Sequence, residues 1–353
     1  MFNIDFDSDE LQFLSHPRYT EASERILQEL DYLKSHFLIF SSGTTSQDLK
    51  GYALSREALL TNARAVNSFF NLNSDDVWGL SLPHFHVGGL SVLARAHLLG
   101  SSLVLMGDHW DPLAWSELLK EKGVTITTIV PTQLFDLVKN NLQAPPMLKH
   151  LVVGGDYLSH ELERLAMALG WPVIRTFGMT EVCSQLASAK APGLGIELLP
   201  IHEIKTDKDE RLWVKSSALF TLQFSLKEKL HVTLANTLLD SEGFFPTNDR
   251  VSIEGETFTH LGRLDDQIKV SGKLISLISL KEKLYEFALK HNLYGSVELL
   301  FEADNRLGKK LVLLHLPTVQ NIEEIKNLFS PLKVELREVT SFNRTDLGKL
   351  KRY

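Results

Sequence analysis

The sequence is poor in cysteine, in net positive charge and in long apolar runs. Cys183 is the only cysteine among 353 residues, so no intrachain disulfide can form and a reducing cytoplasm is expected. We interpret Cys183 as a small buried hydrophobe rather than a reactive thiol. The net charge of −7 argues against nonspecific binding to nucleic acid or to an anionic membrane. No apolar run reaches the ~18–20 residues of a membrane span, and the acidic residues 1–10 predict that there is no signal peptide.

What the sequence has instead is an alternation of short apolar strands and helices between residues 37 and 178. This alternation predicts a mostly parallel sheet that is covered by helices on both faces. The strands are predicted at residues 37–41, 77–82, 102–106, 125–130, 150–153 and 173–176, and the helices at residues 55–70, 90–99, 112–122, 132–140 and 160–169, with Asp111 and Ser159 as N-caps. Ligands of such sheets bind at the carboxyl ends of strands. Residues 42–50, 154–156 and 176–181, which come at the ends of strands, are therefore expected to converge on one edge.

The pattern changes twice farther along the chain. Beyond residue 197 it becomes β-rich, with strands predicted at residues 211–215 and 231–235. After residue 262 a small α+β unit is expected, with helices at residues 280–291 and 322–329, a hairpin of residues 296–302 and 310–316, and a last strand at residues 333–339. We therefore predict a large α/β domain at residues 1–262 and a mobile small domain at residues 266–353, joined by a charged hinge at residues 263–266.

The segment FSSGTTSQDLKG at residues 40–51 has the chemistry of a phosphate-binding loop. Its glycine lets the backbone approach an anion, the hydroxyl groups of Ser42, Thr44 and Thr45 can donate hydrogen bonds, and Lys50 supplies a positive charge. The Walker A spacing does not occur here. Taken alone, the segment is equally consistent with an ordinary turn between a strand and a helix.

Four further strings follow in order along the chain: TFGMTE at residues 176–181, TND at 247–249, GRLDDQIK at 262–269 and NRTDLGK at 343–349. Together with the first loop, they resemble in order and spacing the motifs of the adenylate-forming superfamily of acyl- and aryl-CoA ligases. Within that superfamily, the strings PHFHVGGL at residues 83–90 and TFGMTEVCSQ at residues 176–185 are most similar to the o-succinylbenzoate–CoA ligases of menaquinone biosynthesis. The resemblance covers most of the chain.

The resemblance implies an acid–thiol ligase that uses ATP, Mg²⁺ and coenzyme A. ATP and an aromatic carboxylate would first give an acyl-adenylate and pyrophosphate, and coenzyme A would then displace AMP. Lys349 matches the superfamily's catalytic lysine, and Asp265 matches its hinge residue. His86 matches a histidine near the acyl pocket, which would orient the carboxylate substrate.

The resemblance also implies which residues contact the nucleotide. Lys50 and the loop hydroxyls would hold the β- and γ-phosphates, Thr180 would donate to the α-phosphate, and Glu181 would bind Mg²⁺, which prefers carboxylate oxygens. The remaining matches are Phe177 with its neighbour Gly178 at the adenine, Gly154, Gly155 and Asp156 along the edge of the base, Asp249 at the ribose, and Arg263 on the ribose and phosphate side.

The chain departs from the superfamily pattern at several places. Ser46 and Leu49 stand where the phosphate loop has a glycine and a proline, the loop is one residue longer, and Asn248 replaces a glycine. The segment before the loop is short, which implies either an incomplete acyl wall or a compensating contact in a homo-oligomer. Two alternatives stay open: a ligase for another aryl or short acyl acid, and a nucleotide-binding pseudo-enzyme without turnover. A metal site at His84 and His86 is disfavoured because no second ligand cluster accompanies them.

Overall fold

The computed structural model describes residues 4–41, 49–107, 109–255, 257–270, 273–304, 308–320 and 322–344. The strands are β1 (Gln12–Leu14), β2 (His36–Phe40), β3 (Leu49–Ser55), β4 (Val77–Leu80), β5 (Ser102–Leu105), β6 (Ile126–Ile129), β7 (His150–Val153), β8 (Val173–Met179), β9 (Ser184–Ser188), β10 (Glu197–Leu198), β11 (His202–Thr206), β12 (Arg211–Ser216), β13 (Leu222–Leu226), β14 (Leu230–Leu234), β15 (Phe245–Glu254), β16 (Thr257–Arg263), β17 (Gln267–Val270), β18 (Lys273–Ser276), β19 (Val297–Asp304), β20 (Gly308–His315) and β21 (Val334–Glu338). The helices are α1 (Thr20–Glu29), α2 (Arg56–Phe69), α3 (Val87–Leu99), α4 (Pro112–Glu121), α5 (Pro131–Lys139), α6 (His160–Ala168), α7 (Leu277–Lys290) and α8 (Ile322–Asn327). Within these described ranges, no helix combines the length and the apolar character that crossing a membrane requires.

The strands form two large sheets and two small ones. The five-stranded sheet has the order β1–β2–β3–β13–β14, and the eleven-stranded sheet has the order β11–β12–β15–β16–β10–β9–β8–β7–β6–β4–β5. In the larger sheet, β5, β4, β6, β7 and β8 are parallel, and helices α3 to α6 lie in the connections between them. Strand β9 then runs antiparallel to β8. The predicted parallel sheet is therefore confirmed for these neighbouring strands.

The strand before the predicted phosphate loop lies in the other sheet. Strand β2 pairs antiparallel with β3, so the chain returns as a hairpin instead of passing directly into a helix. The expectation that residues 42–50 end a strand of the parallel sheet and lead into a helix is wrong. The reason is the period-2 pattern of β3, in which Leu49, Gly51 and Ala53 are buried. Glycine is required in this strand, because a Cβ at Gly51 would lie 2.4 Å from the carbonyl oxygen of Ile39.

Both predicted N-caps are confirmed. The carboxylate of Asp111 accepts hydrogen bonds from the amides of Leu113 and Ala114 at the start of α4. The hydroxyl of Ser159 accepts a hydrogen bond from the amide of Leu162 at the start of α6. Each cap satisfies amides that the first helical turn leaves without intrahelical partners. The cap at Ser159 therefore fixes where α6 begins, and so where the segment between β7 and α6 ends.

The small C-terminal unit packs directly on the parallel sheet and its helices. Its predicted helices, hairpin and last strand are confirmed as α7, α8, β19, β20 and β21. Leu284 of α7 and Leu299 of β19 belong to the same buried apolar cluster as Leu151 of β7. The rings of Phe135 in α5 and Tyr294 also pack together, with centroids 4.4 Å apart. The division into two domains that move about a hinge stays a prediction.

Candidate active site

Two of the predicted segments lie side by side at the carboxyl ends of β7 and β8, which are parallel neighbours. Gly154, Gly155 and Asp156 follow β7 directly. Thr180 and Glu181 follow β8 in a single 3-10 turn. The predicted convergence of these two segments is therefore confirmed.

Phe177 and Gly178 belong to the last part of β8. A Cβ at Gly178 would lie 2.1 Å from the carbonyl oxygen of Ser184, so glycine allows β8 and β9 to approach this closely. The ring of Phe177 packs edge-on against Phe258, with centroids 5.6 Å apart, and lies 4.7 Å from the ring of His260. These contacts pack the ring of Phe177 against side chains of β16.

Glu181 is partly buried and is held by contacts from the five-stranded sheet and from the segment that precedes β13. The hydroxyl of Tyr52 on β3 donates a hydrogen bond to Glu181 Oε1 at 2.8 Å, and the amide of Phe220 donates to the Glu181 carbonyl oxygen at 2.9 Å. Burial raises the pKa of the Glu181 carboxyl, and the Asp249 carboxylate adds to the increase. Tyr52 and Arg263 act in the opposite direction. A bound cation would favour the ionised form of this carboxyl.

Asp249 and Arg263 face each other across β15 and β16, where they are a direct register pair. Arg263 Nη1 lies 3.9 Å from Asp249 Oδ2, and Arg263 Nε donates to Asp265 Oδ1 at 3.3 Å. Burial alone would lower the pKa of Arg263, but the carboxylates of Asp249 and Asp265 raise it above its usual value. The structure thus brings Asp249, Arg263 and the predicted hinge residue Asp265 into one charged chain, which also acts on Glu181.

Glu181 fits the predicted magnesium ligand as a single carboxylate. Within the part of the chain that the structure describes, no group of three or more His, Cys, Asp or Glu side chains could hold a metal ion. Mg²⁺ usually binds through one or two carboxylates and takes its other ligands from water and phosphate oxygens. The donor set therefore suits an ion that arrives with a nucleotide.

Lys50 lies on β3, where it is exposed and pairs with Ser225 of β13. Side chains two residues apart in a strand point to the same face. Lys50 therefore shares a strand face with Tyr52, whose hydroxyl reaches Glu181. Four other predicted site residues lie outside the described residues: Ser42, Thr44, Thr45 and Lys349.

His86 immediately precedes α3, and the first turns of this helix pack near the Glu181 segment. Leu90 of α3 and Cys183 belong to one buried apolar cluster. Cys183 is fully buried and burial raises the pKa of its thiol, which confirms its interpretation as a core residue. His86 thus lies at the N-terminal end of α3, the helix that contributes Leu90 to this cluster.

Asp156 connects the site to the C-terminal unit electrostatically. Burial would lower the pKa of Lys281 in α7, but the carboxylate of Glu298, followed by that of Asp156, raises it. Glu298 also accepts a hydrogen bond from Arg344, whose Nη2 lies 3.4 Å from Glu298 Oε2. Arg344 belongs to the string that ends at Lys349, so the beginning of that string is attached to a buried carboxylate.

Arg95 in α3 is a charged residue that the sequence reasoning missed. It is 1% exposed, and burial lowers the pKa of its guanidinium to about 9. Its Nη2 lies 3.4 Å from the hydroxyl of Ser184, and its Nε has no hydrogen-bond partner. Among the described residues, no carboxylate offsets the effect of burial on the pKa of Arg95. A lone arginine within a helix of mostly apolar residues was the available signal.

Comparison with known proteins places this geometry in context. The family profile described as "AMP-binding enzyme" matches residues 6–204, which is more than half of the chain. The chain is 27% identical over 318 residues to the 2-succinylbenzoate–CoA ligase of Bacillus cytotoxicus, a match that covers 85% of this chain and 63% of the relative. It is 31% identical over 282 residues to the enzyme of the same name from Bacillus mycoides, covering 75% and 57%. The chain thus spans about 60% of the length of the curated relatives that it matches.

The structural comparison concerns the fold. The o-succinylbenzoate CoA synthetase of Bacillus subtilis, solved with its acyl-adenylate intermediate, matches with a TM-score of 0.73 at 22% identity over 89% of this chain and 67% of that chain. This likeness confirms the predicted α/β fold with a small C-terminal unit. The profile match, which spans most of the large domain including the Glu181 segment, confirms the predicted superfamily. The chain belongs to the AMP-binding enzyme family.

Proposed function

We propose that this chain is an ATP-dependent acid–thiol ligase that acts on o-succinylbenzoate or an acid of the same type. The names of the curated relatives support the reaction and the substrate class. The observation that carries the proposal is the joint placement of Glu181, which follows β8, with Asp249 and Arg263, which pair across β15 and β16 and whose charges act on Glu181. Phe177 at the end of β8 lies against His260 of β16. These are the groups that a nucleotide with a ribose, a phosphate chain and a metal ion needs.

In the proposed first step, an oxygen of the acid carboxylate attacks the α-phosphorus of ATP and pyrophosphate leaves. Glu181 would hold Mg²⁺, which when bound neutralises charge on the phosphate oxygens. Thr180 would donate to the α-phosphate, and Asp249 would accept the ribose hydroxyls. The role of these residues is positioning and charge stabilisation, since the transferred group itself is supplied by ATP.

In the proposed second step, the thiolate of coenzyme A attacks the acyl carbonyl carbon and the bond to AMP breaks. The first step makes this possible because AMP is a better leaving group than a carboxylate oxygen. The small domain would turn about Asp265 between the steps, so that Lys349 serves adenylation and is withdrawn during thioester formation. One cleft could then present two different catalytic faces.

Arg95 supports an acid that carries a second anionic group. A fully buried cation without a carboxylate partner is costly, and an anion that enters beside it would relieve the cost. One carboxylate of o-succinylbenzoate is activated by ATP, and the other needs a cation. Arg95 Nη2 lies 3.4 Å from the hydroxyl of Ser184, which follows Glu181 by three residues along the chain. Arg95 would therefore pair with the carboxylate of the acid that is not activated.

The proposal is tested by measuring pyrophosphate release from ATP and Mg²⁺ with a panel of acids, each with and without coenzyme A. The panel contains o-succinylbenzoate, its two monocarboxylate analogues (one lacking the succinyl carboxylate, the other lacking the ring carboxylate), benzoate and short fatty acids. Of these acids, we expect only o-succinylbenzoate to support pyrophosphate release. We expect a thioester product when coenzyme A is also present.

Other outcomes have distinct meanings. Release with a different acid would retain the ligase reaction and overturn the substrate assignment. Binding of ATP without release for any acid would favour a nucleotide-binding protein without turnover, an alternative motivated by the altered residues Ser46 and Leu49 of the phosphate loop.

A further inference from the structure

A histidine lies between the two side chains proposed to hold the nucleoside. Strands β15 and β16 pair antiparallel, with Asp249 opposite Arg263 and His260 opposite Val251. One extra residue on β16, Leu261, makes a bulge within this ladder. Because side chains alternate along a strand, the bulge moves His260 to the face of the ladder that carries Asp249.

The contact between His260 and Asp249 is a direct hydrogen bond. His260 Nε2 lies 3.0 Å from Asp249 Oδ1, and the two side chains are 25% and 13% exposed. An ionised carboxylate only accepts, so Nε2 carries the proton. The other oxygen, Oδ2, faces Arg263 at 3.9 Å, a distance longer than a hydrogen bond. Oδ1 is therefore anchored, and Oδ2 retains capacity to accept.

The ring of His260 also contacts the proposed adenine platform. Its centroid lies 4.7 Å from that of Phe177, with 36° between the ring planes. A single side chain thus bonds the carboxylate proposed for the ribose and packs against the ring proposed for the base. Rotation of the Asp249 carboxylate out of its plane would break the bond to His260.

We propose that His260 is a positioning residue for ribose recognition. Two vicinal hydroxyl groups can bond one carboxylate only when that carboxylate is correctly oriented, and the imidazole sets this orientation without touching the nucleotide. The inference rests on the proposed role of Asp249. It adds a residue that the resemblance and the sequence motifs did not assign.

The test compares ATP with 2′,3′-dideoxy-ATP, which lacks both ribose hydroxyls, by calorimetric binding to the full chain. The variants are His260→Leu, which removes the donor, and His260→Gln, whose amide nitrogen can replace Nε2. His231→Leu, at an exposed position on β14, is the matched control. We expect His260→Leu to weaken ATP binding about fivefold to tenfold and to leave dideoxy-ATP binding unchanged. His260→Gln should recover most of the ATP affinity.

Each other outcome overturns the inference in a recognisable way. Equal losses for both nucleotides, with no recovery in His260→Gln, would mean that His260 acts through packing on Phe177. If His260→Leu leaves the ATP affinity unchanged while the protein still prefers ATP to dideoxy-ATP, the proposed role of Asp249 is retained. The positioning role of His260 is then excluded. A wild-type protein that binds both nucleotides equally would overturn the role of Asp249 together with that of His260, independently of any turnover measurement.

Discussion

Two groups of charged side chains border the turn after β8, and they differ in how their charges are balanced. At the proposed nucleotide end, Asp249 has a histidine and an arginine beside it, and Glu181 accepts a hydrogen bond from Tyr52. At the proposed acyl end, Arg95 is more deeply buried and has no carboxylate partner among the described residues. The carboxylates of the nucleotide end therefore have charged or hydrogen-bonding partners within the protein. Arg95 at the acyl end instead has neutral neighbours, the ring of Trp78 and the hydroxyl of Ser184.

The difference indicates two ways of preparing for a ligand. Balanced charges keep the nucleotide residues oriented before binding, which reduces the entropy lost when the ligand arrives. A buried cation without an anionic partner instead lowers the stability of the ligand-free protein, and it favours binding of an anion that pairs with it. Variants at Arg95 and at Tyr52 change one end at a time, whereas a variant at Lys349 affects both.

The largest effect is expected where the two ends would meet, at Lys349, which is proposed to contact the α-phosphate and the acid carboxylate together. Lys349→Ala should reduce pyrophosphate release about a thousandfold and largely spare thioester formation from supplied acyl-adenylate. Lys351→Ala, two residues away in the same basic tail, is the control. Equal losses in both steps would contradict the assigned role.

An intermediate effect is expected for Arg95→Met, which removes the uncompensated cation and keeps an unbranched apolar stem. KM for o-succinylbenzoate should rise about 100-fold because a buried charge loses its partner, while ATP affinity stays unchanged. The free energy of unfolding should increase by about 1–2 kcal/mol, since burial of an isolated charge is avoided.

Chemical denaturation and steady-state kinetics measure these opposite changes in the same variant. Arg64→Met, at an exposed position on α2, controls for the substitution itself. A fall in stability with unchanged KM would show that Arg95 has a purely structural role and would remove the contrast between the two ends.

The smallest effect is expected for Tyr52→Phe, which removes one hydrogen bond from Glu181. The pKa of Glu181 is raised by burial, and Tyr52 opposes that increase. Loss of the phenol should therefore raise the pKa further and move the acidic limb of the activity profile to higher pH. Turnover near neutral pH should fall about threefold to tenfold, and the same shift should be seen in the pH dependence of Mg²⁺-ATP binding.

As the pH rises, the contribution of Glu181 to the stability of the ligand-free protein falls, whereas its contribution to Mg²⁺ affinity rises. A carboxyl with a raised pKa in the folded protein stabilises the ligand-free state below its unfolded pKa, and this contribution is lost as the pH rises through the folded pKa. Mg²⁺ needs the ionised form, so its affinity rises over the same window. Glu181→Gln should abolish both trends, and Tyr32→Phe, at an exposed position, should alter neither. A pH profile that Tyr52→Phe leaves unmoved would exclude this coupling.

Local signals predicted much of the fold, and tertiary pairing decided the rest. The parallel strands and the caps at Asp111 and Ser159 follow from short apolar runs and from side chains that bond nearby amides, which are properties of neighbouring residues. The β2–β3 hairpin was missed because glycine and hydroxyl residues mark a turn without indicating whether a strand or a helix follows. Tyr52 and Glu181 are 129 residues apart, and no spacing rule connects them.

The candidate site was predicted to a similar extent. Motif matches identified Glu181, Asp249 and Arg263, which the structure brings together. Arg95 and His260 were missed because each acquires its meaning from an environment created by the fold: an apolar helix packed against β9 in one case, and a strand bulge in the other.

The pairing of β2 with β3 has a consequence for how the predicted phosphate loop can vary. The amide of Ser41 donates to the carbonyl oxygen of Lys50 at 2.8 Å, so the two ends of the loop are tied together. On its other side Lys50 pairs with Ser225, and the position of the lysine is therefore set by sheet register. Insertions between residues 41 and 49 can change the loop without displacing the charge at its base. The length of this loop can therefore vary while the backbone of Lys50 keeps its place, and grafting loops from relatives would test whether the predicted loop sets the affinity for phosphate.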